Sequence, residues 1–258
     1  MKICVLGSGS SGNCTFVCSE TTRILIDAGL SGRETVRRLD QIGEKPSDFQ
    51  AICLTHEHSD HIVGLGVLHS RFGVDLYANS GTMEAIQRVP KMRRLKWHVF
   101  TTGSAFEIGD LILEPFAVPH DAYEPVGFIV SSGDTRIGIV TDMGMCTHLI
   151  RERLKSCQVL VVESNHDEQL LLDAKRPWYL KQRISGRHGH LSNKRAAEMI
   201  VDVASSHLIC VFLSHLSLDC NSPDLALKTT RNALKLHGHQ HVQVSLTYPD
   251  QISEIWSG

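Results

Sequence analysis

The sequence predicts an α/β fold, with strands in two layers and helices outside. Three observations predict it. Short apolar runs bounded by Gly, Pro and Asp recur along the whole chain and read as strands. Strands dominate the stretch from about residue 97 to 140, where Gly109-Asp110 and Gly133-Asp134 have the composition of hairpin turns. On both sides of that block, strands alternate with helical stretches. No low-complexity linker or repeat interrupts the pattern, so residues 1–258 are expected to form a single domain.

The first strand, Lys2 to Leu6, runs into Gly7-Ser8-Gly9-Ser10-Ser11-Gly12. The glycine spacing matches a dinucleotide fingerprint, but that site needs a helix next. The next segment, Cys14 to Cys18, reads as a strand, and Arg23 to Ile26 as another, so a dinucleotide site is rejected. The loop is either a plain β-turn or a set of backbone N–H groups open to a phosphate. Ser31-Gly32-Arg33-Glu34 is a capping box that opens a helix to about Ile42, with Gly43 as its stop. A short buried strand, Ala51 to Leu54, precedes a helix expected over Ile62 to Phe72 and closed by Gly73. Val74 to Tyr77 is a strand, and Ser80 to Val89 a helix ended by Pro90. Lys91 to Lys96 is a basic, exposed stretch. Strands are expected at about 97–100, 104–108, 111–118, 126–132 and 135–140. Helices near 146–155, within 167–184, at 192–204 and at 222–236 then alternate with strands at 158–162, 208–213 and 242–246.

Composition narrows the classes. A 258-residue chain with 42 % hydrophobic residues can bury a proper core. No apolar run approaches the roughly 18 residues needed to cross a bilayer, and the N-terminus turns to Gly and Ser too early for a signal-peptide core. The cysteines are scattered without a Cys-x-x-Cys pair, as reduced core cysteines of a cytoplasmic protein are. The net charge of -2 gives no global pull toward nucleic acid.

The chemistry is concentrated in His56-Glu57-His58-Ser59-Asp60-His61, where side chains 56, 58, 60 and 61 suit zinc, manganese or iron. The spacing excludes a helical His-Glu-x-x-His protease site, because position 60 is Asp. Residues two apart diverge on a helix, so His56 and His58 can share an ion only from extended or looped backbone. The ligands are therefore expected on a loop between strand and helix. The same kind of position recurs. The strand at 111–118 ends at Pro119-His120, that at 135–140 at Thr141-Asp142, and that at 208–213 at Ser214-His215. Strand ends in sheet folds converge on a common crevice.

In that order, the His-x-His-x-Asp-His loop followed by His120, Asp142 and His215 resembles the metallo-β-lactamase superfamily. Val118-Pro119-His120 with Gly127-Phe128, and Leu213-Ser214-His215-Leu216-Ser217, resemble its RNase Z and phosphodiesterase branch. The opening at residues 7–13 is similar to bacterial YycJ/WalJ-type exonucleases, as are Glu163-Ser164-Asn165-His166-Asp167, Gly189-His190-Leu191-Ser192-Asn193 and Asp219-Cys220-Asn221. The resemblance covers nearly the whole chain. It implies an αββα sandwich, two central β-sheets flanked by helices, without a large inserted cap. It also implies a cytoplasmic 5′-to-3′ DNA exonuclease linked to mismatch repair, with repair proteins as partners.

The resemblance assigns His56, His58 and His120 to one divalent ion, and Asp60, His61 and His215 to a second, with Asp142 bridging. Two such ions roughly 3.5–4 Å apart can clamp both oxygens of an in-line phosphoryl displacement. Asp60 is placed as a catalytic group as well as a ligand. His190 is placed as general acid on the leaving alkoxide or as a phosphate contact; an incidental histidine beside a helix cap is the alternative. Asp27 follows a strand and either orients a ligand histidine or turns the chain. Ser8, Ser10, Asn13, Asn165 and Asn193 are candidate phosphate contacts, with Arg176, Arg183 and Arg187 from a basic segment over 175–195 that holds no acidic residue. A solvated helix face is the other reading of that segment. His237-Gly238-His239-Gln240-His241 looks like a metal tract but lies outside the ligand order.

The rival functions are hydrolysis of a small substrate (a cyclic phosphodiester, thioester or lactone) and RNA processing. A structural metal site is disfavoured, since structural zinc usually sits in closed, Cys-rich sites.

Overall fold

The computed structural model describes residues 1–258. The first half contains β1 (Lys2–Gly7), β2 (Cys14–Cys18), β3 (Arg23–Ile26), α1 (Gly32–Gln41), β4 (Ala51–Cys53), α2 (Ser59–Ile62), α3 (Leu65–Phe72), β5 (Asp75–Ala78), α4 (Ser80–Gln87) and β6 (His98–Val99). The rest contains β7 (Phe106–Ile108), β8 (Leu111–Ala117), β9 (Val126–Ser132), β10 (Thr135–Val140), α5 (His148–Leu154), β11 (Val159–Glu163), α6 (Glu168–Asp173) and α7 (Trp178–Ser185). It ends with α8 (Asn193–Val203), β12 (Cys210–Ser214), α9 (Pro223–Leu236), β13 (Gln243–Leu246) and β14 (Trp256–Ser257).

The strands form two seven-stranded sheets, ordered β14-β1-β2-β3-β4-β5-β6 and β13-β12-β11-β10-β9-β8-β7. Side chains alternate across a strand, and that alternation builds the layers. In β1, Ile3 and Val5 enter the core between the sheets, while Cys4 and Leu6 face the helices on the other side. In β11, Val159 and Val161 point between the sheets, and Leu160 and Val162 point to the outer layer of α5, α8 and α9. Both faces of the central strands are thus covered, as their near-continuous apolar runs require, whereas β8 near the margin of its sheet turns Ile112 and Ala117 to solvent. All eight cysteines are free, and all but the half-buried Cys146 are buried.

The expected elements recur in the structure, with differences that have physical causes. The helix expected over Ile62 to Phe72 is two pieces, α2 and α3. The break falls at Gly64, whose N–H donates to the Ala28 carbonyl at 2.8 Å, and where a Cβ would come within 2.3 Å of the Leu30 carbonyl oxygen. That close approach sends the chain off the helical path. It also puts Asp60 and His61 inside the one-turn helix α2 rather than in open loop. Ser31 caps α1 by accepting from the Glu34 N–H, as expected, but the Glu34 carboxylate turns to Arg37 and Arg38 instead of closing the box. The two-residue edge strand β14 is too short to be signalled by pattern. No helix is long and apolar enough to cross a membrane.

Candidate metal centre

The ligands predicted from sequence converge at the ends of β4, β8, β10 and β12. His56 Nε2 lies 3.1 Å from His58 Nδ1, which lies 3.3 Å from His120 Nε2. Beside this trio, His61 Nε2 stands 3.3 Å from Asp142 Oδ2 and 3.6 Å from Asp60 Oδ2. His215 Nε2 is 3.7 Å from Asp60 Oδ2, and its Nδ1 is 3.2 Å from Asp142 Oδ1. Asp142 therefore stands between the imidazoles of His61 and His215.

The backbone is bent to make this possible. Asp27, Asp142 and His215 are the non-glycine residues with left-handed backbone, at φ 62°, 52° and 54°. Such conformations are uncommon and concentrate at functional sites, where the surroundings hold them. Each ends a strand and turns a polar side chain into the crevice. The loop is pinned from below by Gly29, where a Cβ would come within 1.7 Å of the Asp60 carbonyl oxygen; the same carbonyl accepts from Asn13 N–H at 2.7 Å.

The back sides of the ligands are held too. His61 Nδ1 donates to Asp27 Oδ2 at 2.8 Å, and Asp27 also accepts from the Thr55 N–H and hydroxyl at 2.9 and 2.8 Å. Asp27 is thus the orienting carboxylate, not a simple turn residue. His120 Nδ1 faces the Gly189 carbonyl at 3.2 Å. Such partners fix ring orientation and leave the other nitrogen for an ion.

The sequence marks Glu163 only within a resembling motif and gives it no role. It is fully buried at the end of β11, takes His190 Nδ1 at 2.6 Å and His215 Nδ1 at 3.1 Å, and accepts the Met143 N–H at 3.0 Å. The strand-end rule could have found it, since the strand expected at 158–162 stops just before it.

Electrostatics divides the cluster. Burial pushes His56 and His120 below the ordinary histidine range, leaving them neutral with lone pairs to share. For His215, burial acts downward, but Asp142, Asp60 and Glu163 outweigh it and lift it to about 10. His61 is raised in the same way by Asp27 and Asp142 against its burial. Asp142 is held well below the carboxylate range because His215 and His61 outweigh its desolvation. At Glu163, desolvation is overcome by His190 and His215, holding its carboxyl down at about 2.

The donor set fits divalent cations. His56 Nε2 and His120 Nε2 both converge on His58 Nδ1, at 3.1 and 3.3 Å, and the three nitrogens are close enough together to ligate one ion. Asp142 Oδ2 and His215 Nε2 are buried with no hydrogen-bond partner, a costly state that a ligated ion removes. A second grouping of Asp142, Glu163, His190 and His215 is also close enough to hold an ion. A third joins His56, His61 and Asp142; Glu163 faces the Nδ1 atoms of both His190 and His215, and His215 Nε2 lies 3.7 Å from Asp60 Oδ2.

The β-lactamase superfamily domain model matches residues 22–215. The chain belongs to that superfamily. It resembles the exodeoxyribonuclease WalJ of Streptococcus pneumoniae strain D39, with 37 % identity over 236 residues, 90 % of this chain and 88 % of the relative. The exodeoxyribonuclease YycJ of Bacillus anthracis is 35 % identical over 238 residues, 91 % of this chain and 89 % of that one. The metallo-β-lactamase fold protein YhfI of Bacillus subtilis, at 15 % identity, superposes with a TM-score of 0.76 over 99 % of both chains. The αββα sandwich is the fold, and the chain is a superfamily hydrolase related to these exodeoxyribonucleases.

The candidate substrate contacts fare unevenly in this superfamily frame. Asn13 Nδ2 donates to Asp60 Oδ2 at 3.1 Å, Ser8 Oγ accepts the His215 N–H at 2.7 Å, and Asn165 Nδ2 donates to the His215 carbonyl at 2.8 Å. Asn193 is buried against Ser164 and Asn221. Ser8, Asn13 and Asn165 thus position the centre from within, Asn193 braces Ser164 and Asn221, and Ser10 is exposed. Arg183 pairs with Asp121 at 2.6 Å and Arg176 pairs with Asp219, while Arg187 has no ion-pair partner. The His237-His239-His241 tract is exposed or half-exposed and brings no metal-binding group together.

Proposed function

We propose that this chain is a two-metal exodeoxyribonuclease that trims DNA from 5′ ends and serves DNA repair, mismatch repair in particular, together with repair proteins in the cytoplasm. The observation that carries the reading is the His190–Glu163 pair beside a donor set for two divalent ions, in a chain whose relatives over about nine-tenths of its length are exodeoxyribonucleases. Zinc or manganese suits the imidazole and carboxylate ligands, and iron is compatible with them. His56, His58 and His120 would hold one ion, and Asp60, His61 and His215 the other, with Asp142 between them. When bound, the ions polarise the phosphoryl group and neutralise the charge that develops on its oxygens.

The chain's own residues do the rest. Asp60 Oδ2, steadied by Asn13, is placed to accept the proton of the attacking water. His190 delivers a proton to the departing deoxyribose oxygen. Burial lowers the His190 pKa but Glu163 outweighs it, so the ring is raised above the ordinary histidine range and is charged near neutral pH. Arg187 and the exposed Ser10 are the free candidates for phosphate contact.

A small-substrate diesterase is the second reading, favoured by the net charge of -2 and by the acidic partners that occupy Arg176 and Arg183. The test is digestion of end-labelled single- and double-stranded DNA and RNA, with zinc, manganese and magnesium each supplied, alongside bis-p-nitrophenyl phosphate and a thioester. Mononucleotide release from DNA 5′ ends supports the nuclease. Turnover of the small esters alone, with all polymers intact, sinks it.

A further inference from the structure

A cavity of about 310 Å³ adjoins the metal centre and shares His190 with it. One wall is apolar, made by Leu171 and Leu172 of α6 and Trp178 of α7. The indole of Trp178 is 62 % exposed, and α7 buries none of its residues, so packing does not account for an aromatic ring here. The polar wall carries Lys181, Arg195 and His166. Arg195 has no ion-pair partner, and the Lys181 ammonium donates only to the Leu172 carbonyl. His166 is 2 % exposed, yet its Nδ1 has no hydrogen-bond partner. A buried ring nitrogen left open beside a cavity lacks a partner that a ligand can supply.

We propose that this cavity receives the terminal nucleotide of the DNA strand, with its base against Trp178 and its phosphate toward Lys181 and Arg195. Every base has a π-face, so an aromatic platform suits any sequence. Two cationic side chains without ion-pair partners suit a phosphate. Glu168, which accepts the Ser192 hydroxyl at 2.9 Å, adds an acceptor for a sugar hydroxyl and opposes a second phosphate. The volume sits at the low end of the roughly 300–1,000 Å³ of small-ligand sites, which admits one nucleotide but not a duplex. A strand therefore enters by its end, and the shared His190 lies between the nucleotide and the scissile bond. The inference rests on the nuclease reading and adds the origin of its end-dependence.

Calorimetry of the metal-loaded protein with deoxyadenosine 5′-monophosphate, deoxyadenosine and inorganic phosphate tests it, with a metal-stripped sample to remove phosphate binding at the ions. The monophosphate should bind tightest in both samples. Trp178→Leu should weaken it by roughly tenfold or more, and Trp178→Phe should restore most of the loss. Arg195→Gln should weaken the monophosphate but not deoxyadenosine. In digestion assays the monophosphate should compete with DNA ends. Absence of nucleotide binding, or binding indifferent to both Trp178→Leu and Arg195→Gln, overturns the cavity's role while DNA digestion keeps the nuclease reading intact. Binding that needs both residues in a protein that digests no DNA removes the nuclease reading, and with it the DNA end as occupant.

Discussion

His190 Nδ1 lies 2.6 Å from Glu163 Oε1, and that carboxylate is fully buried. The pair sets the protonation of the one imidazole at the centre that is both unassigned to an ion and open to the neighbouring cavity. A general acid works while protonated, so its activity is lost as pH rises through its pKa. Glu163 raises that pKa, and Glu163→Gln removes the charge. The alkaline limb of kcat/KM against pH for DNA should therefore move to lower pH in the variant. An unmoved limb would mean that His190 does not set it.

His190→Ala should slow DNA cleavage by roughly 10²–10⁴, the usual range for a general acid. A diester that departs as p-nitrophenolate needs little protonation and should retain far more of its rate. Equal losses on both substrates would make His190 a phosphate contact instead. Single-turnover rates on the two substrates decide it.

Asp142→Asn keeps a residue type that tolerates left-handed backbone at φ 52° and removes the charge proposed to bridge the ions. The variant should fold, lose hydrolysis, and hold about one ion or none. Elemental analysis alongside circular dichroism measures both. Two ions with retained activity would remove Asp142 from the bridge.

Metal uptake should release protons. His215, lifted to about 10 by Asp142, Asp60 and Glu163 against its burial, and His61, raised by Asp27 and Asp142, are both protonated at pH 7 without an ion. A ligating nitrogen must lose its proton. Affinity for zinc should thus rise with pH up to the region of the His215 pKa, and calorimetry in buffers of different ionisation enthalpy should report a net release. Uptake without protons would contradict the assignment of these two rings.

Arg38 carries a stability prediction independent of the metal. Its guanidinium is 4 % exposed and donates to the carbonyls of Leu6 at 2.6 Å and Pro249 at 2.9 Å, and to Glu34 at 2.5 Å. Arg38→Met leaves two carbonyls and a carboxylate without this donor, at a cost of about 2–4 kcal/mol. Thermal unfolding should show the loss. Glu34→Gln, at a partly exposed site, should cost far less.

Much of the fold and the centre is legible from residue pattern. Apolar runs with turn residues at their ends locate most strands, and the strand-end rule finds His120, Asp142 and His215. Glu163 obeys the same rule, but its partners His190 and His215 lie 27 and 52 residues further on, so nothing beside it marks its role. The break at Gly64 is not legible, because it arises where α2 meets the Ala28–Leu30 backbone. Nor are the roles of Ser8, Asn13, Asn165 and Asn193, since sequence cannot say whether a polar side chain faces solvent or a neighbouring backbone. The occupation of Arg176 and Arg183 by Asp219 and Asp121 is hidden for the same reason: the partners are far away along the chain.

The ligands come from both sheets, His56 to His61 from the first and His120, Asp142 and His215 from the second. His61 and His215, proposed to share one ion, are separated by more than half the chain, so the loops between them must close before that ion can touch both. Contacts of that sequence separation form slowly. During refolding, tight metal capture should therefore lag behind secondary structure, and the ion acts as a native timer for the docking of the two halves, readable by a metal-sensing dye with no label on the protein.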